Sequence, residues 1–145
     1  SPLHVLLALF DSDHIHHDAA HDWFEEHHRE GWATCALTEN GFLRVVTHRA
    51  YGLSTLRLGD AAERLRRFCR SRHHRFWPEA VSLRDDALFN LAVVRGPGQI
   101  SDVYLLGLAH HMGGRLATFD HSIPLSAVVG AARGALAVIA PADES

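Results

Sequence analysis

The sequence contains no lysine, so all fourteen of its basic side chains are arginines. Its two cysteines, Cys35 and Cys69, lie far apart and form no CxxC pair, which argues against a structural zinc site and a disulfide framework. The apolar run Val5–Phe10 is far shorter than the roughly 20 residues that a membrane span needs. The N-terminus also lacks the charged region and cleavage site of a signal peptide. These absences predict a cytoplasmic protein with reduced thiols and no membrane anchor.

The composition is that of an ordinary folded domain. The chain has 145 residues, of which 47% are hydrophobic and 21% are charged, and its formal net charge is -3. A chain of this length can bury a substantial hydrophobic core. We therefore expect residues 1–145 to form a single domain.

Positive charge is concentrated in one segment. Six of the fourteen arginines lie between Arg64 and Arg75, in RLRRFCRSRHHR. Such a cluster can bind phosphates or an acidic partner. A solvated helix face, balanced by acids elsewhere, explains the same pattern equally well.

Short apolar segments alternate with helical patterns along the chain. Leu3–Phe10 fits a short helix or a buried strand, and periodicity does not decide between them. Strands are predicted over Trp32–Leu37, Arg75–Trp77, Arg115–Phe119 and Ala135–Ala140. This alternation with helices predicts an α/β layer fold around a parallel sheet.

Polar residues that can cap helices precede the helical patterns. The predicted caps are Asp13, Thr38, Asp60 with Glu63 as a capping box, Ser82 and Ser101. Glycines mark the helix ends, at Gly31, before Gly52 and at Gly113-Gly114. In the helix after Ser101, we expect Leu105, Leu106 and Ala109 to be buried.

Three acidic residues lie where segments begin or end. They are Glu39 in TENGFLR, Asp102 in SDVYLLGLA and Asp120 in LATFD. Taken singly, Glu39 and Asp102 are explained as acids near helix starts, which contribute a few tenths of a kcal/mol. Ligands of parallel sheets bind at the carboxyl ends of strands, where these three acids can converge. Carboxylates without ligand-spaced cysteines or histidines indicate a hard cation such as Mg²⁺ or Mn²⁺.

In this order and spacing, the three motifs resemble the PIN-domain family, and most closely the VapC-type toxins of bacterial toxin–antitoxin pairs. The stretch VLLALFDSDHIHHDAAHDWF also resembles the first two helices of those toxins. The resemblance covers nearly the whole chain. It implies a three-layer α/β/α fold with a central parallel sheet flanked by helices.

The resemblance also implies an activity, namely that of a Mg²⁺- or Mn²⁺-dependent endoribonuclease. Glu39, Asp102 and Asp120 would be its metal ligands and catalytic residues. Ser101 and Thr118 are candidates for positioning water or phosphate, although a capping role and a strand role explain them as well. The candidates for RNA binding are Arg64, Arg66, Arg67 and Arg70. The expected partners are an RNA substrate, a cognate VapB-type antitoxin and a second copy of the chain.

The sequence departs from the family pattern near its start. Members carry a further metal-binding aspartate in a motif like D-x-N-V-L-L, and alignment on Val5 places Pro2 at the aspartate and His4 at the asparagine. Almost no chain precedes this point to form the first strand, so we expect that strand to be missing or altered. Either the N-terminal part is shortened or changed, or the chain is a degenerate copy with little nuclease activity.

Two other functions therefore stay open. The first is a catalytically weakened binding module that has the same fold and retains antitoxin or RNA binding through the arginine-rich helix. The second is a different magnesium-dependent phosphoesterase that acts on DNA ends or flaps.

Overall fold

Five short parallel strands form the central sheet. The computed structural model describes the backbone of residues 5–7, 17–53, 57–118 and 122–139, and the side chains of 22–44, 57–118 and 122–139. The strands are β1 (Val5–Leu7), β2 (Trp32–Thr34), β3 (His74–Phe76), β4 (Arg115–Thr118) and β5 (Leu136–Val138). They lie in the order β3-β2-β1-β4-β5, and every neighbouring pair is parallel. The predicted parallel sheet is confirmed.

β1 occupies the middle of the sheet. Val5 pairs with Trp32 of β2 on one side and with Arg115 of β4 on the other. The sequence allows either a short helix or a strand for Leu3–Phe10. The structure has a strand, over Val5–Leu7. We expected the chain before Val5 to be too short to form the first strand. In the structure the first strand is Val5–Leu7 itself, and it lies at the centre of the sheet.

Four α-helices lie in the described part of the chain. They are α1 (His17–His27), α2 (Ala36–Leu53), α3 (Leu58–Phe68) and α4 (Ile100–His111). No helix among the described residues is long and apolar enough to cross a membrane.

α4 covers one face of the sheet. Its side chains Val103, Leu106 and Leu108 are fully buried and pack in one cluster with Ala33 of β2 and Leu116 of β4. The predicted burial of Leu105, Leu106 and Ala109 is confirmed. Each large apolar side chain of this kind contributes about 1.5–3 kcal/mol when it leaves water.

α1 and α3 cover the other face. Trp32 of β2 is buried there, and its ring contacts Phe24 of α1 and Phe68 of α3 at centroid distances of 5.2 and 4.7 Å. Because side chains alternate along a strand, Trp32 and Thr34 point to this face whereas Ala33 points to α4. Helices on both faces give the three-layer α/β/α architecture that the sequence predicted.

The end of β2 differs from the prediction. We predicted a strand over Trp32–Leu37 with Thr38 as the helix cap, but the strand ends at Thr34 and the helix begins at Ala36. The Thr38 hydroxyl lies inside the helix and accepts a hydrogen bond of 2.9 Å from the Cys35 backbone N–H. That bond fixes Cys35 as the residue that precedes the helix. The strand therefore ends earlier than the apolar pattern indicates.

The caps predicted at Asp60 and at Ser101 are wrong. α3 begins at Leu58 rather than at Asp60, and the flanking Arg57 makes no side-chain cap. Glu63 does not complete a capping box. Its carboxylate instead pairs with Arg66 at 2.6 Å and with Arg67 at 3.8 Å. α4 likewise begins at Ile100 with Gln99 before it, so Ser101 lies within its first turn and not at its cap.

The helix predicted after Ser82 is absent. Residues 77–90 form turns, followed by a short 3₁₀ helix over Leu91–Val93. The side-chain oxygens of Ser82, Asp85 and Asn90 each accept a hydrogen bond from the backbone N–H two residues on. Local bonds of this kind replace helical backbone bonds, so Ser82, which was predicted as a helix cap, stabilises a turn here. The Asp13 cap lies outside the described residues.

Candidate functional site

Glu39 lies in the first turn of α2, directly after β2. Its half-buried carboxylate accepts a hydrogen bond of 2.6 Å from the hydroxyl of Thr34, which is fully buried at the end of β2. The acid is therefore held against the carboxyl end of a central strand. The prediction that Glu39 follows a strand and starts a helix is confirmed, although the strand is shorter than predicted.

His74 is bonded to the same hydroxyl. Its Nε2 lies 2.8 Å from Oγ1 of Thr34, and its ring contacts that of Trp32 at a centroid distance of 4.6 Å. Because Thr34 donates its one hydroxyl proton in the hydrogen bond to Glu39, its oxygen accepts a hydrogen bond from the Nε2–H of His74. Burial lowers the pKa of His74; the charge of Glu39 acts in the opposite direction.

Cys69 completes this cluster. It follows the last residue of α3, is partly buried, and carries a free thiol. Burial raises the pKa of Cys69, and the charge of Glu39 raises it further. One ligand atom each from Glu39, Cys69 and His74 lie within 4.8 Å of one another.

Sequence reasoning missed Cys69 and His74 as members of the site. The two residues come from the end of α3 and the start of β3, and Glu39 comes from α2. No spacing rule for metal ligands connects residues on three different elements, so Cys69 appeared isolated. The contact of β2 with β3, which pairs Trp32 with His74, is what brings them together.

Asp102 lies in the first turn of α4 and is half-exposed. Since the turn at 112–114 reverses the chain between α4 and β4, the first turn of α4 lies toward the carboxyl end of β4. α4 covers the face opposite to the one where Thr34 holds Glu39. Among the described side chains, Asp102 belongs to no group of three possible metal ligands with atoms within 4.8 Å.

Two further site candidates, Thr118 and Ser101, lie at the end of β4 and in the first turn of α4. Thr118 is buried at the end of β4, and Ser101 is exposed at the start of α4. Asp120 and Pro2 lie outside the described residues. The convergence of Glu39, Asp102 and Asp120 therefore stays a prediction.

The four arginines predicted to bind RNA lie close to Cys69 in the sequence. Arg64, Arg66, Arg67 and Arg70 are all exposed, on α3 and immediately after it. Glu63 neutralises part of this charge through its ion pairs with Arg66 and Arg67. Arg70 directly follows Cys69, whose thiol belongs to the cluster with Glu39.

Comparison with known proteins gives consistent matches over most of the chain. A family model described as the PIN domain matches residues 4–128. Ribonuclease VapC44 of Mycobacterium tuberculosis is 41% identical over 137 residues, which cover 94% of this chain and 96% of the relative. Ribonuclease VapC38 of the same organism is 39% identical, with coverage of 83% and 84%. Ribonuclease VapC39 is 34% identical, with coverage of 88% and 92%. No solved structure matches the chain.

Proposed function

Because this chain belongs to the PIN-domain family and is of the VapC type, we propose that it is the endoribonuclease toxin of a toxin–antitoxin pair and that it hydrolyses RNA phosphodiester bonds with Mg²⁺ or Mn²⁺. The observation that carries the proposal is the near full-length similarity to proteins named ribonucleases, 41% identical over 94% of the chain. The position of Glu39 at the carboxyl end of β2 supports it. Ligands of open parallel sheets bind at this edge.

The donor set fits a hard cation. Glu39 presents a carboxylate whose orientation is set by the Thr34 hydroxyl, and Asp102 presents a half-exposed carboxylate in the first turn of α4. Mg²⁺ needs a few protein oxygens and keeps several waters, so a small number of acids is sufficient. Glu39, Asp102 and Asp120 would hold the ion across the edge of the sheet. When bound, the metal supplies Lewis-acid activation of water and neutralises charge on the phosphoryl oxygens.

The other residues bind and position the substrate in this proposal. Arg64 and Arg70 contact RNA phosphates, as do Arg66 and Arg67 after exchanging their contacts with Glu63 for contacts with RNA. Phosphate contacts of this kind give affinity without sequence preference. Ser101, exposed beside Asp102, is placed to orient a phosphate or water, and Thr118 supports the end of β4.

An endoribonuclease toxin of this type is also expected to have protein partners. A VapB-type antitoxin would lay an apolar helix on the toxin and place a basic side chain near the acids. A homodimer and a cytoplasmic location complete the proposal.

A second candidate function has an observation of its own. Pro2 stands where the family pattern has a metal-binding aspartate. With one carboxylate fewer, metal affinity falls, and the chain would act as a PIN-fold binding module that keeps its antitoxin and RNA contacts. The exposed arginines of α3 serve that function equally well.

Cleavage of labelled RNA tests the first proposal. The purified chain is incubated with single-stranded and hairpin RNA, with matching DNA, and with Mg²⁺ or Mn²⁺. Asp102→Asn should abolish cleavage, whereas Asp86→Asn, which changes an exposed acid in the loop after β3, should not. A chelator should also abolish cleavage by the unmodified chain.

Two outcomes contradict the proposal. Equal cleavage by the unmodified chain and by Asp102→Asn indicates a contaminating nuclease, and cleavage of DNA alone indicates a different phosphoesterase. A gain of RNA cleavage on Pro2→Asp, starting from an inactive chain that binds RNA, establishes the weakened binding module as the correct function.

A further inference from the structure

Glu39, Cys69 and His74 offer three different kinds of metal ligand at one point. A carboxylate oxygen, a thiol sulfur and an imidazole nitrogen lie within 4.8 Å of one another, and all three side chains are half-exposed. Among the side chains that the structure describes, this is the one such group of three. Its chemistry differs from the all-carboxylate set proposed for magnesium.

These ligands suit zinc rather than magnesium. Mg²⁺ takes oxygen ligands in near-octahedral geometry, and a thiolate is a poor ligand for it. Zn²⁺ takes sulfur, imidazole nitrogen and carboxylate oxygen tetrahedrally, at about 2.0–2.3 Å from the metal. Those bond lengths place neighbouring ligand atoms roughly 3.3–3.8 Å apart. Because the three ligand atoms already lie within 4.8 Å of one another, they have to approach by no more than about 1.5 Å to reach these separations.

The backbone positions of all three residues are fixed by hydrogen bonds. The backbone N–H of Glu39 donates to Cys35 at 3.0 Å, that of Cys69 to Leu65 at 2.9 Å, and that of His74 to Ser71 at 3.1 Å. The Thr34 hydroxyl then orients both Glu39 and His74. Histidines and carboxylates that bind metals usually have outer hydrogen-bond partners that fix their orientation in this way.

We infer that Glu39, Cys69 and His74 form a Zn²⁺ site whose fourth position is open to water, and that zinc held there inhibits RNA cleavage because it takes Glu39 from the magnesium ion. The inhibition rests on the proposed function, whereas the zinc site does not. On binding, Cys69 loses its thiol proton to solvent and coordinates as the thiolate. A Glu39 carboxylate that coordinates zinc beside Cys69 and His74 is no longer available to the magnesium ion.

Cobalt spectroscopy tests the site without any need for activity. Co²⁺ replaces Zn²⁺ in tetrahedral sites, and a thiolate ligand gives a sulfur-to-cobalt charge-transfer band in the near ultraviolet. We expect this band in the unmodified chain, with a phosphine reductant present, and its displacement by Zn²⁺. Cys69→Ser should lose the band, whereas Cys35→Ser should keep it because Cys35 is buried and outside the cluster.

Zinc affinity supplies a second measurement, by competition with a coloured chelator. His74→Gln should weaken zinc binding by more than the roughly 10- to 100-fold that loss of an outer partner costs. His73→Gln is the matched control and should bind as the unmodified chain does. Circular dichroism confirms that each variant is folded, and histidines elsewhere in the chain give no thiolate band.

Inhibition is measured for each protein as the ratio of its own cleavage rates with and without zinc, at constant Mg²⁺. We expect a strong reduction for the unmodified chain and for Cys35→Ser, and none for Cys69→Ser. A thiolate band that is absent, or that survives Cys69→Ser, overturns the zinc site. A normal band with cleavage that zinc leaves unchanged overturns the inhibitory role. If the chain does not cleave RNA at all, the proposed function fails, and the cobalt spectrum still decides whether the zinc site exists.

Discussion

The Thr34 hydroxyl donates a hydrogen bond of 2.6 Å to the Glu39 carboxylate, five residues further along the chain. Thr34 ends β2 and is completely buried, whereas Glu39 is half-buried in the first turn of α2. The strand therefore sets the direction of an acid that belongs to the following helix. Because a hydrogen bond to a charged group is short and directional, it restricts the carboxylate to a narrow range of positions.

Thr34→Val should weaken metal-dependent cleavage more than it weakens the fold. Loss of the hydroxyl should cost about 1 kcal/mol of unfolding free energy, since water can reach the half-exposed Glu39 and His74. Loss of an outer partner of a metal ligand should raise the Mg²⁺ concentration for half-maximal cleavage by roughly 10- to 100-fold. Thermal denaturation and a Mg²⁺ titration of cleavage measure the two effects.

Thr38→Val is the control for this substitution. Thr38 is also buried, but its hydroxyl bonds to the Cys35 backbone and not to an acid. It should cost about 0.5–2 kcal/mol through the helix start and leave the Mg²⁺ dependence unchanged. Equal Mg²⁺ dependence in the two variants would show that Thr34 does not position Glu39.

Mg²⁺ should stabilise the unmodified chain against heat. A ligand at 100 times its dissociation constant adds about 2.7 kcal/mol, which corresponds to roughly 5–10 °C in Tm for a domain of this size. Glu39→Gln and Asp102→Asn should each lose most of this shift, and Asp86→Asn should keep it. Differential scanning fluorimetry with and without a chelator gives the result, and a shift that survives both acid substitutions contradicts the proposed ligands.

Gly107→Ala should destabilise the fold. A Cβ at this position of α4 would clash with two ring carbons of Phe89, which is buried against the helix. Overpacking of this kind costs about 1–3 kcal/mol, and it outweighs the gain in helix propensity. Gly41→Ala in α2 meets nothing within 4 Å and should instead gain up to about 1 kcal/mol. Denaturant unfolding of both variants should give changes of opposite sign, and a stabilised Gly107→Ala would disprove the close packing.

The exposed arginines of α3 should determine the salt dependence of RNA binding. Replacing Arg64 and Arg70 with alanine removes two phosphate contacts, which should reduce the slope of log K against log salt by about 1.4 for single-stranded RNA. Replacing Arg84 and Arg133, which are exposed elsewhere, makes the same change in net charge and should alter the slope little. Fluorescence anisotropy at several salt concentrations tells the two apart. Equal slopes for both double variants would assign α3 to a solvated face.

Apolar runs and glycines predicted much of the fold correctly. Gly31 and Gly113 end helical segments with φ of 102° and 76°, values that favour glycine. The strands near Arg75, Arg115 and Ala135 occur within one or two residues of their predicted bounds. These features depend on local backbone preference and on burial, both of which are visible in sequence.

The errors arise where side chains compete for backbone hydrogen bonds. Ser82, Asp85 and Asn90 are the residue types of both helix caps and turns, so the pattern alone favoured a helix that the structure lacks. The sequence predicted that Glu39 and Asp102 lie at segment boundaries, as they do, but it did not predict the whole cluster at Glu39. Cys69 and His74 enter it through the pairing of β2 with β3, a contact that no single segment encodes.

The central position of β1 also affects how the sheet forms while the chain is being synthesised. Leu6 pairs with Leu116, so about 110 residues must leave the ribosome before the first strand gains its neighbour β4. Pairing over such a separation is slow, because the intervening chain loses entropy before the contact is rewarded. The sheet edge that we propose to hold the metal is then incomplete during most of translation. If the proposed function is correct, a nascent chain of this topology cannot cleave RNA until β4 has been made.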